Sequence, residues 1–213
     1  LTESRTVLVG GWAVYAYNPY WGSVDIDLIT NNTSRRSMRK HLLDNHGFHP
    51  DPESISVFKD TPAGKVEIDF ANRGDDSFEG GHGLLNLGIV DGNTETHAID
   101  TMEIPVPSRS VLLMMKIKAA WDRNWRYENG RSRDPVNELG KIIKDYSDIL
   151  ALIDPDRGGM EIDVGQMGDF FSRHEFIIPV LDKVSESQAG AEKYGTSLEQ
   201  AKEIIDRFKS IVF

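Results

Sequence analysis

Pro105 and Pro107 divide this sequence into two textures, and that division constrains the fold more than any other feature. Before them, short β-branched or alternating runs are interrupted by glycine, asparagine and proline. After them come long stretches with apolar residues every three or four positions. The two periodicities, about 2 and 3.6 residues, belong to strands and helices respectively. The expectation is an α+β chain: a mixed sheet with helices over residues 1–106, then a helical part over 107–213.

Within the first part, Thr6 to Val9 reads as a strand that ends at Gly10-Gly11. Trp12 to Tyr17 reads as a short helix closed by Asn18-Pro19. Ser23 to Thr30 alternates as a strand does. Thr33 is placed to cap a helix reaching Asn45, with Gly47 ending it. Ile55 to Lys59 and Lys65 to Phe70 form two strands about a turn at 61–64. Residues 72–83 are glycine-rich and read as a mobile loop, and His97 to Ile104 reads as one strand. In the second part, Ser108 to Arg123 is a helix. Asp134 and Pro135 open another as cap and first residue, running to Ile153. A third covers 164–184. A capping box from Thr196 to Glu199 starts the last, whose Leu198, Ala201, Ile204, Ile205, Phe208 and Ile211 make one apolar stripe.

The 213 residues contain no cysteine, which excludes disulfides and zinc–thiolate sites and fits a reducing, cytoplasmic setting. No apolar run reaches the roughly 18–20 residues of a membrane helix. Twenty-four basic against 34 acidic residues leave a net charge of −10, a poor balance for generic nucleic-acid binding.

The strongest chemical signal is Asp25-Ile26-Asp27-Leu28. Residues two apart on a strand share a face, so both carboxylates point one way and both apolar side chains the other. Like charges side by side repel unless a cation lies between them. Mg²⁺ suits such oxygens, and a pair of such ions suits in-line phosphoryl-type transfer. Asp69, in Val66-Glu67-Ile68-Asp69-Phe70, completes a triad if its strand pairs with the first. Glu67, on the same face, is the lesser alternative. Isolated, the Asp-x-Asp pattern also describes an exposed acidic face. Gly10-Gly11 adds weight, because glycines let a backbone approach phosphate and the first amides of a helix favour anions.

These residues together resemble the nucleotidyltransferase superfamily that includes DNA polymerase β. The matching residues are Val9-Gly10-Gly11, Ser23-Val24-Asp25-Ile26-Asp27-Leu28 and Ile68-Asp69-Phe70. Gly10-Gly11-Trp12-Ala13-Val14 is most similar to the AbiEii-type abortive-infection toxins. Met114 to Ala120, around Lys116, and Lys144-Asp145-Tyr146-Ser147-Asp148 match their helical half. The likeness spans roughly residues 7–153 and leaves the last sixty unmatched.

The resemblance implies transfer of a nucleoside monophosphate from an NTP, with release of pyrophosphate. Asp25, Asp27 and Asp69 would be both catalytic and metal-binding, holding two Mg²⁺. Gly10, Gly11, Ser23, Lys116, Lys144 and Asp148 would contact the nucleotide. The acceptor would be an RNA end, a protein or a small molecule, and an antitoxin would be a partner. Relatives carry an arginine where Trp21-Gly22 stands here. That departure favours the alternative, a nucleotide-binding interaction protein without turnover. A small-molecule-modifying enzyme would carry the same triad.

In the helical half, Arg109, Lys116 and Arg123 recur every seven residues and form one stripe. Lys116, among leucines and alanines, either snorkels over packed apolar surface or reaches a phosphate. Lys141/Asp145 and Lys144/Asp148 have the spacing of helical ion pairs, a solvated face in the bland reading. Trp121, Trp125 and Tyr127 beside Arg123, Arg126, Arg131 and Arg133 either face RNA or nucleotide or pack internally. His41, His46, His49 and His82 show no second ligand at metal spacing and read as surface or packing residues.

Overall fold

The computed structural model describes residues 6–75 and 85–213, which fall into two compact units. The first comprises residues up to 75 together with 86–108. The second comprises Leu85 and 109–213. The chain is α+β, with a five-stranded mixed sheet and helices.

In the first unit, β1 (Val7–Val9) leads straight into α1 (Gly10–Tyr17), and β2 (Asp25–Thr30) returns beside β1. The helix α2 (Asn32–Asn45) and the short β3 (His49–Pro50) then carry the chain across. β4 (Val57–Thr61) and β5 (Gly64–Asn72) form a tight hairpin. The sheet order is β1-β2-β5-β4-β3, and only β2 and β5 run parallel. That parallel pair requires a long crossover, which α2, β3 and β4 supply. All of β1 is buried, and with Leu28, Ile29, Ile68, Phe70, Ala13 and Val14 it forms the core. Fully burying one such large aliphatic or aromatic side chain contributes about 1.5–3 kcal/mol.

Two expectations for this unit need correction. Asn31, not Thr33, caps α2, its side chain accepting from the Ser34 amide at 2.8 Å. The single strand expected over 97–104 is a hairpin of β6 (Thr94–Ile99) and β7 (Met102–Pro107). Asp100 turns the chain with φ of 54°, a left-handed conformation that Asp tolerates. Most of the glycine-rich segment, including His82, lies outside the described residues.

The second unit is built on α3 (Arg109–Glu128) and α4 (Pro135–Ile153), which pack along their lengths. Asp134 accepts from the Asn137 amide as the N-cap of α4. The single helix expected over 164–184 is broken. α5 (Val164–Arg173) gives way to a 3-10 turn at Glu175–Ile177, and Pro179 opens α6 (Pro179–Glu186) because proline cannot continue the preceding hydrogen-bond ladder. An unanticipated helix, α7 (Gln188–Tyr194), packs on α4. The capping box of α8 (Leu198–Val212) is Ser197 with Gln200, one residue later than expected. Its stripe buries Ala201, Ile205 and Phe208 and leaves Ile211 at the margin. Among the described residues no helix is long and apolar enough to cross a membrane.

Candidate metal and nucleotide site

The parallel pairing sets Asp25 opposite Glu67 and Asp27 opposite Asp69. Neighbouring strands lie about 4.8 Å apart and paired residues share a face, so four carboxylates project from one side. On the other side Ile26 meets Ile68 and Leu28 meets Phe70. The same alternation therefore anchors the strands in the core and directs Asp25, Asp27 and Asp69, all half-buried, away from it.

Two neighbours modify this acidic face. Lys65 donates to Glu67 at 3.0 Å, which holds the Lys65 ammonium above its ordinary pKa. Glu67 is thus already matched, in keeping with its lesser place. Asp69 accepts a hydrogen bond from the buried Ser56 hydroxyl, which in turn accepts from Ser54 at 2.8 Å.

Gly10 abuts Asp27. A Cβ on Gly10 would lie 1.9 Å from Asp27 Oδ2, and its φ is +68°. The cap position of α1, Val9, offers no side chain to the first amides. The helix start and the Asp27 carboxylate therefore adjoin, a favourable arrangement of negative charge with the positive end of a helix. Replacing Gly10 by alanine is expected to cost about 1–3 kcal/mol through left-handed strain and displacement of Asp27. Urea unfolding of the variant measures this, and an unchanged midpoint would show that the close approach is not maintained. Gly11 is buried in α1, and Ser23 is half-buried in the loop before β2.

Divalent magnesium fits these residues in donor type and in register: carboxylates on adjacent strands, on one face, beside a helix start. Among the described residues, no three His, Cys, Asp or Glu side chains converge closely enough to hold an ion as they stand. Asp69 is turned to Ser56.

The remaining sequence candidates lie in the second unit and form a buried charge cluster between α3 and α4. Lys116 Nζ lies 2.6 Å from Asp148 and 3.5 Å from Asp145. Arg123 also pairs with Asp145, and Arg109 donates to the Leu152 carbonyl at 3.2 Å. The heptad-spaced stripe of α3 is therefore its seam with α4. Lys116 does not snorkel; it is 7% exposed. Burial disfavours its charge, but Asp148 and Asp145 outweigh that and raise its pKa. Lys144, paired with Asp148 at 3.1 Å, goes the other way: burial and the neighbouring Lys116 lower its pKa. The cluster holds three cations against two carboxylates, so Lys144 is its surplus charge. Lys141 stays exposed, because Asp145 turns inward to Lys116 and Arg123.

The aromatic and basic segment is largely engaged within this unit. Trp121 packs edge-on against Phe176 at 4.9 Å, and Arg126 pairs with Glu138 at 2.8 Å. Arg131 and Arg133 remain exposed.

The structure also brings together two histidines that spacing kept apart. His41 Nε2 and His46 Nε2 lie 2.9 Å from each other. Residues five apart do not share a helical face. His46, however, sits past the last turn of α2 with φ −120° and ψ 4°, which returns its ring toward His41.

No protein-family model matches the chain, and no curated protein is significantly similar to it in sequence. Among solved structures, it is similar to an antigenic nucleotidyltransferase-like protein from Paracoccidioides brasiliensis. Identity is 15%, over 84% of this chain and 83% of that one, with a TM-score of 0.43. A likeness so distant does not bear on activity, which rests on the residues described above.

Proposed function

We propose that the chain is a divalent-metal-dependent nucleotidyltransferase. The observation that carries this reading is the β2–β5 register, which sets Asp27 beside Asp69 and Asp25 on the same face, next to the Gly10 helix start. Held by Asp25, Asp27 and Asp69, magnesium would supply charge neutralisation to a triphosphate. The acceptor hydroxyl oxygen attacks the α-phosphorus of an NTP, the bond to the bridging oxygen breaks, and pyrophosphate leaves. Asp69 is the group placed to take the hydroxyl proton or to position that oxygen once it releases Ser56. The Gly10 and Gly11 backbone accommodates phosphate, and Ser23 borders the same strand. Positioning and charge neutralisation provide most of the rate in such transfers.

In the second unit, Lys144 is the residue best suited to a phosphate contact. An anion there would match the surplus charge and restore its lowered pKa. Lys116 and Asp148 hold Lys144 in place through their shared pair. The resemblance at residues 10–14 extends the reading to a toxin with an antitoxin partner, and to an RNA end, a protein or a small molecule as acceptor.

A second reading, nucleotide binding without turnover, draws on two observations: Asp69 bound to Ser56, and Trp21-Gly22 where relatives have arginine. Pyrophosphate release separates the two. The purified chain, incubated with Mg²⁺, each NTP and candidate acceptors, is expected to release pyrophosphate with at least one NTP. Mg²⁺-dependent nucleotide binding with no release from any NTP would favour the second reading.

A further inference from the structure

We propose that His41 and His46 form a binding site for a divalent transition metal that takes ligands at right angles, such as Ni²⁺ or Cu²⁺, separate in chemistry from the carboxylate face. The two Nε2 atoms are 2.9 Å apart. Two imidazole nitrogens bound at right angles to one metal, each about 2.0–2.1 Å from it, would be separated by about the same distance. The ring centroids are only 4.7 Å apart, with planes inclined at 61°. That is shorter than the nitrogen contact plus two ring radii would allow if the rings met head-on. The nitrogens therefore meet at an angle, as two ligands of one ion do.

The surroundings hold the His41 ring and the His46 backbone. Asn45 Nδ2 lies 3.2 Å from His41 Nδ1 and 3.3 Å from the His41 carbonyl. Lys59 donates to the His46 carbonyl at 2.8 Å, which pins the residue that carries the second ring. Both histidines are exposed, so an ion has access and water can fill its remaining positions. The donor set is imidazole, which suits Ni²⁺, Cu²⁺ and Zn²⁺ over Mg²⁺.

Binding needs one proton to move. In the metal-free pair, Nε2–H of one ring donates to Nε2 of the other. With His41 as that donor, the ion takes both Nε2 lone pairs and the proton passes to His41 Nδ1. The Asn45 amide, turned over, then accepts it through Oδ1. Such a partner on the remote nitrogen is the usual way a ligating histidine is oriented. The expected effect is to fasten the C-terminal end of α2, a helix with no fully buried residue.

The test uses the purified chain without an affinity tag. Ni²⁺ is titrated by calorimetry in buffer containing excess Mg²⁺. Wild type is expected to bind one Ni²⁺ and to show a higher thermal midpoint with Ni²⁺ present, since a ligand that binds only the native state stabilises it. His41→Ala and His46→Ala should each weaken binding about tenfold or more, because two-nitrogen capture becomes single-ligand contact. Asp27→Asn should leave it unchanged. Cu²⁺ electron paramagnetic resonance should show coupling to two imidazole nitrogens in wild type and in Asp27→Asn, and to fewer in His41→Ala. Absence of binding in wild type would overturn the proposal, as would equal Ni²⁺ affinity in wild type and the histidine variants. Loss of binding in Asp27→Asn with retention in His41→Ala would place the ion at the carboxylates instead.

Discussion

Asp27→Asn is expected to lower Mg²⁺-dependent pyrophosphate release by on the order of 10³-fold, the loss typical when a group aimed at developing charge is removed. Folding should be unchanged or slightly more favourable. Asp27 is paired in register with Asp69, two residues from Asp25, and adjoins the Gly10 helix start. Asparagine keeps the shape and one acceptor oxygen beside that helix start. It removes a negative charge from a face that carries several, and in the absence of metal this relieves repulsion. The measurement pairs a pyrophosphate assay with urea unfolding. Lost activity at retained stability supports the metal-binding role. A variant that unfolds would make Asp27 a structural residue and remove the main support for the enzyme.

The second large effect concerns the α3–α4 seam. Lys116→Ala should destabilise the protein by roughly 1–3 kcal/mol, because buried Asp148 is left with the partly exposed Lys144 alone and buried Asp145 with Arg123 alone. A domain's whole stability is only about 5–15 kcal/mol, so the loss is a large fraction of it. The magnitude follows from the choice of pair. Lys116 and Asp148 are both nearly inaccessible. The Lys209–Asp182 pair is more open, with its carboxylate 60% exposed. Lys209→Ala should therefore cost about 0–1 kcal/mol, as surface pairs do. Replacing Lys116, Lys144 and Asp148 together by apolar residues should recover much of the loss, since Arg123 and Asp145 then remain as a matched pair. Equal urea midpoints for Lys116→Ala and Lys209→Ala would show that the seam is solvated. Nucleotide affinity of the folded Lys144→Gln variant then tests the phosphate contact separately, because Lys144 sits at the edge of the cluster with a side chain 26% exposed.

The sequence was most legible where a short-range rule acts alone. The start of α4 follows from Asp134 as cap and Pro135 as first residue, and its end falls at Ile153 as the apolar spacing predicts. The sequence offers the pairing of β2 with β5 only as the condition under which Asp69 joins Asp25 and Asp27, but alternation fixes which side chains share a face once the strands are adjacent. Legibility failed where a single residue reverses the chain inside a continuous pattern. His97 to Ile104 is broken only by the polar pair Asp100-Thr101, and no glycine or asparagine there marks the left-handed turn at Asp100. The helix expected over 164–184 stops at Arg173, ahead of the 3-10 turn that leads to Pro179, although its apolar spacing continues across the break. Side-chain pairing between distant elements was also hidden. The stripe of Arg109, Lys116 and Arg123 was visible, but not that the carboxylates and carbonyl of α4 would face it. The His41–His46 contact depends on one non-helical φ/ψ pair at the end of α2, which helical spacing does not encode.

The parallel pairing of β2 with β5 has a kinetic consequence. β1 with β2, and β4 with β5, are joined by neighbours along the chain, so either pair can form after a short search. β2 and β5 meet only after α2, β3 and β4 have been threaded between them, and non-local closures of this kind come late and slowly. The carboxylates of Asp25, Asp27 and Asp69 approach one another during that same closure, so their mutual repulsion adds to the barrier. Salt screens such repulsion. Ionic strength should therefore act mainly on the rate at which this chain folds, and the acidic face becomes a brake on the last step of its own assembly.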